Sequence, residues 1–144
     1  TEGNREAINV GNLPPASGAV VFTGCCWGAL TVNTPAGRVA NGRKFGQKSP
    51  DDSLAMSFLM RGATAFIGCT GSHYSPLQWP YKFFGGPMHE AFFLGYKPGG
   101  SPAQALFDAK IQYIKGLPHG QNTPNAQAVE YKIFRQYTCL GLGW

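Results

Sequence analysis

Hydrophobic positions in this chain come in short packets separated by glycine and proline. Residues 19–25 (AVVFTGC) form a β-branched and aromatic run between Gly18 and Gly24 and read as a buried strand. A second such run, residues 63–69 (ATAFIGC), follows a helical pattern in which Leu54, Ala55, Phe58 and Leu59 share a face. Ser49 is placed to cap that helix, Pro50 suits its first position, Asp51 and Asp52 sit near its positive end, and Gly62 stops it. Residues 87–94 read as a short helix. Ser101 opens another, with Pro102 first, Gln104 at the capping-box position, and Leu106, Ala109, Ile111, Tyr113 and Ile114 as its apolar side. A last helix over 125–136 buries Ala128, Val129, Ile133 and Phe134, and the tail YTCLGLGW returns to the core as a short strand. Strand, helix, strand implies a parallel α/β sheet. Two or three strands make a poor sheet, so this pattern predicts one that is incomplete in residues 1–144 and completed from outside them.

Composition narrows the function classes. Charged residues are 13% and hydrophobic ones 43% of the 144 residues, which excludes a disordered tail. The net charge is +5, but the basic residues are dispersed, and the one loose cluster (Arg38, Arg43, Lys44, Lys48) falls in a glycine-rich stretch that reads as an exposed loop. A nucleic-acid partner is therefore not expected. No apolar run approaches the ~18 residues of a membrane span, and the first residues, TEGNREAINV, carry no basic-then-apolar leader pattern. Cys25, Cys26, Cys69 and Cys139 lack the spacing of a zinc site. A bridge between Cys69 and Cys139 is possible but not required. Reduced thiols and a cytoplasmic setting are the expectation, with no metal and no cofactor.

In parallel α/β sheets, ligands bind beyond the carboxyl ends of the strands. Cys25 and Cys69 end the two strands, so segments 26–48 and 70–85 should flank one cleft. A cysteine there, beside Gly24, Gly28 and Ala29, has room for a substrate and a nearby backbone N–H for an oxyanion. It is otherwise a buried structural thiol. His73 borders the same cleft as a base, a ligand or a substrate contact. His89 and His119 read as surface or helix-end histidines, and the aromatics of 74–84 as core plugs or pocket walls.

The segment VVFTGCCWG resembles the strand and nucleophile of the caspase-like cysteine peptidases, most closely the gingipain-type branch, in which a hydrophobic strand ends in Cys with Gly three residues on. Cys25 fits that spacing. The caspase spacing, Gly two residues on, would select Cys26. SLAMSFLMRGATAFIGCTGSHYSP is similar to the family's next helix, strand and substrate-lining loop, and FFGGPMHEAFF to a later helix. The similarity spans roughly residues 8–141. It implies a caspase-like fold and peptide-bond hydrolysis by Cys25, with Gly71, Ser72, His73, Tyr74 and Trp79 along the substrate. In that family the general-base histidine precedes the cysteine on the neighbouring strand, whereas residues 1–24 contain none, and the Gly-Asp-Pro ending is replaced by Gly141-Leu142. The expected partner is thus the N-terminal fragment of the same precursor, carrying the histidine and separated by autocatalytic processing, in a heterodimer acting on a peptide or protein. A non-catalytic caspase-like scaffold, and a thiol acyltransferase using His73 locally, remain open.

Overall fold

The computed structural model describes residues 9–31, 50–75, 79, 82–117 and 123–141. Its elements are β1 (Val20–Phe22), α1 (Leu54–Met60), β2 (Ala65–Cys69), α2 (Gly86–Gly95), α3 (Pro102–Lys115), α4 (Pro124–Gln136) and β3 (Tyr137–Gly141). Ser49, His119 and most of the loop expected over 28–48 lie outside the described residues.

The three strands form one open sheet in the order β1-β2-β3. β1 runs parallel to β2, with Val20 opposite Ala65 and Phe22 opposite Ile67. β3 runs antiparallel, with Ala65 opposite Gly141 and Cys69 opposite Tyr137. The expected all-parallel sheet is therefore a mixed one. The cause is local: α4 passes into β3 with no intervening residue, so the chain cannot return to the opposite end of the sheet before pairing.

β2 sets the layers. All five of its residues are buried, and alternation sends them to two faces. Phe66 packs with Ala55, Phe58 and Leu59 of α1, joined by Val21 and Leu140. Ile67 and Cys69 join Met88 and Phe92 of α2, Ala105, Leu106, Ala109 and Tyr113 of α3, and Ile133 of α4. The pairing of β1 extends past its three residues, since Thr64 N–H donates to Ala19 at 2.8 Å and Thr23 N–H to Ile67 at 2.9 Å. β1 itself is only half-buried, not fully buried as its composition suggests.

The caps depart from expectation at one helix. Residues 50–52 form a turn of 3-10 helix containing Asp51 and Asp52, and the α1 N-cap is Ser53, whose side chain accepts from Met56 N–H. Ser101 accepts from Gln104 N–H as expected, but the Gln104 amide donates to Asp108 at 2.9 Å. Ile111, Ile114 and Ala128, expected inside, are exposed. The α3 core stripe runs instead through Ala105, Leu106, Ala109 and Tyr113, and the buried face of α4 is Ala126, Glu130, Ile133 and Gln136.

Gly141 closes β3 with φ at +101°, where a Cβ would lie 2.6 Å from the Thr64 carbonyl oxygen and 2.9 Å from Leu59 Cδ2. Gly141→Ala should destabilise the fold by roughly 2 kcal/mol, read as a lower midpoint in urea denaturation with an unchanged slope. An unchanged midpoint would place the end of β3 outside the cooperative unit.

Candidate functional site

The carboxyl ends of β1 and β2 lie side by side, and the segments leaving them are laced together. Gly28 N–H donates to the Cys25 carbonyl at 3.2 Å, making a turn over 25–28. Trp27 takes φ 59°, the left-handed region, which is uncommon for a bulky side chain. Its N–H donates to the Gly71 carbonyl at 2.9 Å, and Ala29 N–H donates to Cys69 at 3.0 Å. The turn therefore rests on the segment leaving β2. It presents Cys25 and Cys26 as exposed free thiols, whereas Cys69 is buried and Cys139 half-buried, neither bridged.

The two adjacent thiols have different surroundings. Cys26 Sγ accepts the His73 N–H at 3.2 Å and lies 3.8 Å from the His73 carbonyl oxygen. Cys25 is exposed, and its N–H, expected to be open for an oxyanion, donates to Thr23 Oγ1 at 3.1 Å.

Of the expected substrate wall, residues 71–74 adjoin this turn. Gly71 is buried against the Gln136 side chain, and Ser72 is half-buried. The His73 ring turns inward. Its Nδ1 lies 3.0 Å from Tyr137 Oη and 3.5 Å from Cys69 Sγ, and its Nε2 is buried without a hydrogen bond. Tyr74 is half-buried and packs against the main core, and Lys132 of α4 reaches it, its Nζ donating to the Tyr74 hydroxyl at 3.1 Å and lying 5.0 Å from the ring centroid. Trp79 is 82% exposed and plugs no core. The geometry thus gathers Cys25, Gly71, Ser72, His73 and Tyr74, and leaves Trp79 outside that group.

Sequence reasoning missed the partners of His73. His89, expected at the surface, is half-buried in α2 and stacks on His73 with ring centroids 5.2 Å apart. Its Nε2 lies 2.5 Å from Tyr137 Oη. One hydroxyl proton serves two ring nitrogens, so at least one of these nitrogens must carry its own proton. Gly24 permits the arrangement: a Cβ there would lie 3.0 Å from His89 Cε1 and 3.1 Å from His73 Nε2. Nothing in the local sequence announces the cluster, because α2, β3 and the segment after β2 contribute one side chain each.

Burial dominates the electrostatics. It pushes the Cys69 thiol up to about 11, with the thiols of Cys26 and Cys25 adding to the shift. It raises Tyr137 strongly and lowers His73. Burial, with neighbouring His73, takes His89 down to about 4. At neutral pH the cluster is uncharged. Among the described residues no group of three or more His, Cys, Asp or Glu side chains is arranged to hold a metal ion, and no helix is long and apolar enough to cross a membrane.

The sign of the pH effect follows. Both histidines titrate lower when folded than at their ordinary 6.5, so the unfolded chain binds more protons. Their contribution to stability is complete above pH 6.5 and is lost as pH falls through 6.5 toward 4. Thermal midpoints should drop across that window, and His89→Gln should flatten the drop. A profile unaltered by that substitution would remove His89 as the cause.

A scan against protein-family models finds no match to this chain, and comparisons with curated proteins and with solved structures find none either.

Proposed function

We propose that this chain is the nucleophile-bearing part of a caspase-like cysteine endopeptidase, with Cys25 as the nucleophile and the base histidine on a partner, the N-terminal fragment of the same precursor. One observation carries the reading. An exposed thiol sits in a turn just beyond the carboxyl end of a parallel strand, braced by the segment leaving the next strand. That is where α/β sheets place reacting groups. Of the described histidines, both ring nitrogens of His73 are turned inside, and His89 is engaged by Tyr137. Neither is offered to Cys25, which disfavours the local thiol–His73 enzyme.

In this reading the partner histidine takes the Cys25 proton and the thiolate attacks the peptide carbonyl carbon. A carbon–sulfur bond forms and the carbonyl π pair moves to oxygen. The imidazolium then protonates the leaving amine as the carbon–nitrogen bond breaks. Water, deprotonated by the neutral imidazole, attacks the thioester, and the acid product leaves as Cys25 regains a proton. The Cys25 N–H is positioned for the oxyanion only after exchanging Thr23 Oγ1, a neutral acceptor, for a charged one, which forms the stronger bond.

The test uses the full precursor and its processed complex. Cys25→Ala should abolish both hydrolysis and labelling by a peptidyl electrophile, with a rate loss of at least about 10³-fold. Cys26→Ala should retain most of both. The reverse pattern assigns Cys26 as nucleophile. No labelling at either thiol in the complete assembly favours a non-catalytic scaffold. Hydrolysis by residues 1–144 alone sinks the partner requirement.

A further inference from the structure

Two imidazoles set inside the fold are linked by main chain to the turn that carries the exposed thiols. His73 and His89 stack with ring centroids 5.2 Å apart and planes 11° from parallel, and one hydroxyl, that of Tyr137, serves both. The space beside His73 Nε2 is closed, since a Cβ on Gly24 or Gly85 would come within 3.1 or 3.3 Å of it. A proton added at that nitrogen has no acceptor.

No carboxylate answers the charge. The titratable groups that meet the pair are Cys69 of β2, its Sγ 3.5 Å from His73 Nδ1, and Tyr137 of β3. From the turn, Cys26 meets the His73 main chain, with Cys25 beside it. From α3, Lys110 Nζ donates to the Tyr137 carbonyl at 2.6 Å and adds positive charge, and Tyr113 bears on Tyr137. From α4, Glu130 bears on Tyr113 and Lys132 donates to Tyr74. Glu90, next to His89 in α2, is exposed, and β1 offers only the Phe22 ring, 4.9 Å from that of His89.

Two imidazolium rings so placed repel each other in a partly desolvated site. The two are not equally free to move. His89 sits in α2, whose Met88 and Phe92 lie in the main core. His73 belongs to a short segment held by three bonds: its own N–H to Cys26 Sγ at 3.2 Å, Trp27 N–H to the Gly71 carbonyl at 2.9 Å, and Gly85 N–H to the Tyr74 carbonyl at 2.9 Å. Gly85 crowds the ring, with an added Cβ only 2.7 Å from its Cε1, so the ring leaves by carrying its main chain away.

We propose that His73 and His89 form a proton-operated latch on the turn that carries Cys25 and Cys26. Neutral rings hold residues 71–74 against the turn; protonation drives the His73 ring into water and releases it. The released ring titrates at its ordinary 6.5 and the engaged pair lower, so release takes up protons and grows as pH falls below 6.5 toward 4. The latch goes beyond the peptidase reading and does not need it. With Cys25 as the nucleophile, acid disengages the site and neutral pH restores it.

Amide hydrogen exchange in the full-length protein, read by mass and corrected for intrinsic rates, tests this. From pH 6 to pH 5, protection of fragments covering residues 23–31 and 70–75 should fall at least about fivefold and return at pH 7, while β2 stays protected. The fall should shrink in His89→Gln and vanish in His73→Gln, and either variant serves if the other does not fold. Protection unchanged down to pH 4.5 overturns the latch. So does loss of β2 protection in step with the turn, which is global acid unfolding. A fall of full size in both variants belongs to another group and also overturns it. Hydrolysis is not read, so none of these outcomes bears on the peptidase reading.

Discussion

Five consecutive residues with no water on either side hold this molecule together. Ala65 through Cys69 are covered by α1 on the Phe66 face and by α2, α3 and α4 on the Ile67 and Cys69 face. A strand enclosed in this way cannot slip register, because a one-residue shift would drive Ile67 toward α1 and Phe66 into the larger core. Its carboxyl end is therefore a fixed point. The chain beyond it is tied to the end of α4, Thr70 N–H donating to the Gln136 carbonyl, and the turn after β1 is tied to β2 itself, Ala29 N–H donating to Cys69. The position of the Cys25 turn is thus tied to the buried strand β2 as well as to the turn's own hydrogen bond.

At that same end the core becomes polar, with Cys69, His73, His89 and Tyr137 meeting in one place. Burying them is tolerable because all four are neutral at neutral pH and the Tyr137 hydroxyl is shared between two imidazoles. The consequence for the site is a division of labour within His73. Its ring is anchored inside, while its backbone N–H faces out to the Cys26 sulfur. Anchoring the ring restrains the main chain of residues 71–74, and that segment in turn restrains the turn that carries Cys25 through Gly71 and Trp27. Gln136 belongs to the same junction. It is 6% exposed, its carbonyl takes two bonds from Thr70, and its side-chain amide lies against Gly71.

Periodicity made the strands around Val21 and Ile67, the helix after Ser101 and the helix over 125–136 legible, because each is an apolar packet of the right length between strong breakers. It misjudged Ile111, Ile114 and Ala128, since spacing reports which residues could share a face and not which face meets a neighbour. Pairing direction was hidden because an apolar tail such as YTCLG pairs either way, and only the abrupt passage from α4 into β3 decides it. Cys25 was legible from its place after a strand and its small neighbours, whereas Cys26 entered only through the spacing of the resemblance. The polar cluster was not: His89 and Tyr137 lie 16 and 64 residues from His73 in the sequence, and each looks ordinary in its own surroundings. The Lys132–Tyr74 pair was invisible for the same reason.

β1 is the exception to the enclosure that governs β2, and the exception bears on the proposed reading. Val20, Val21 and Phe22 are only half-buried, and Phe93, 63% exposed, leans on Phe22 with ring centroids 5.4 Å apart. An apolar edge strand invites another strand, since its outer backbone groups and side chains gain partners at once. A strand added parallel to β1 would lie about 4.8 Å from it. It would end at the same edge of the sheet, so the residue beyond its carboxyl end would face the turn that carries Cys25. Burial of Phe22 and Phe93 would then drive association, and the parallel register alone would deliver a histidine to the thiol. No contact between the two reacting side chains is needed to bring them together. In the proposed reading, the half-buried face of β1 would thus place the base.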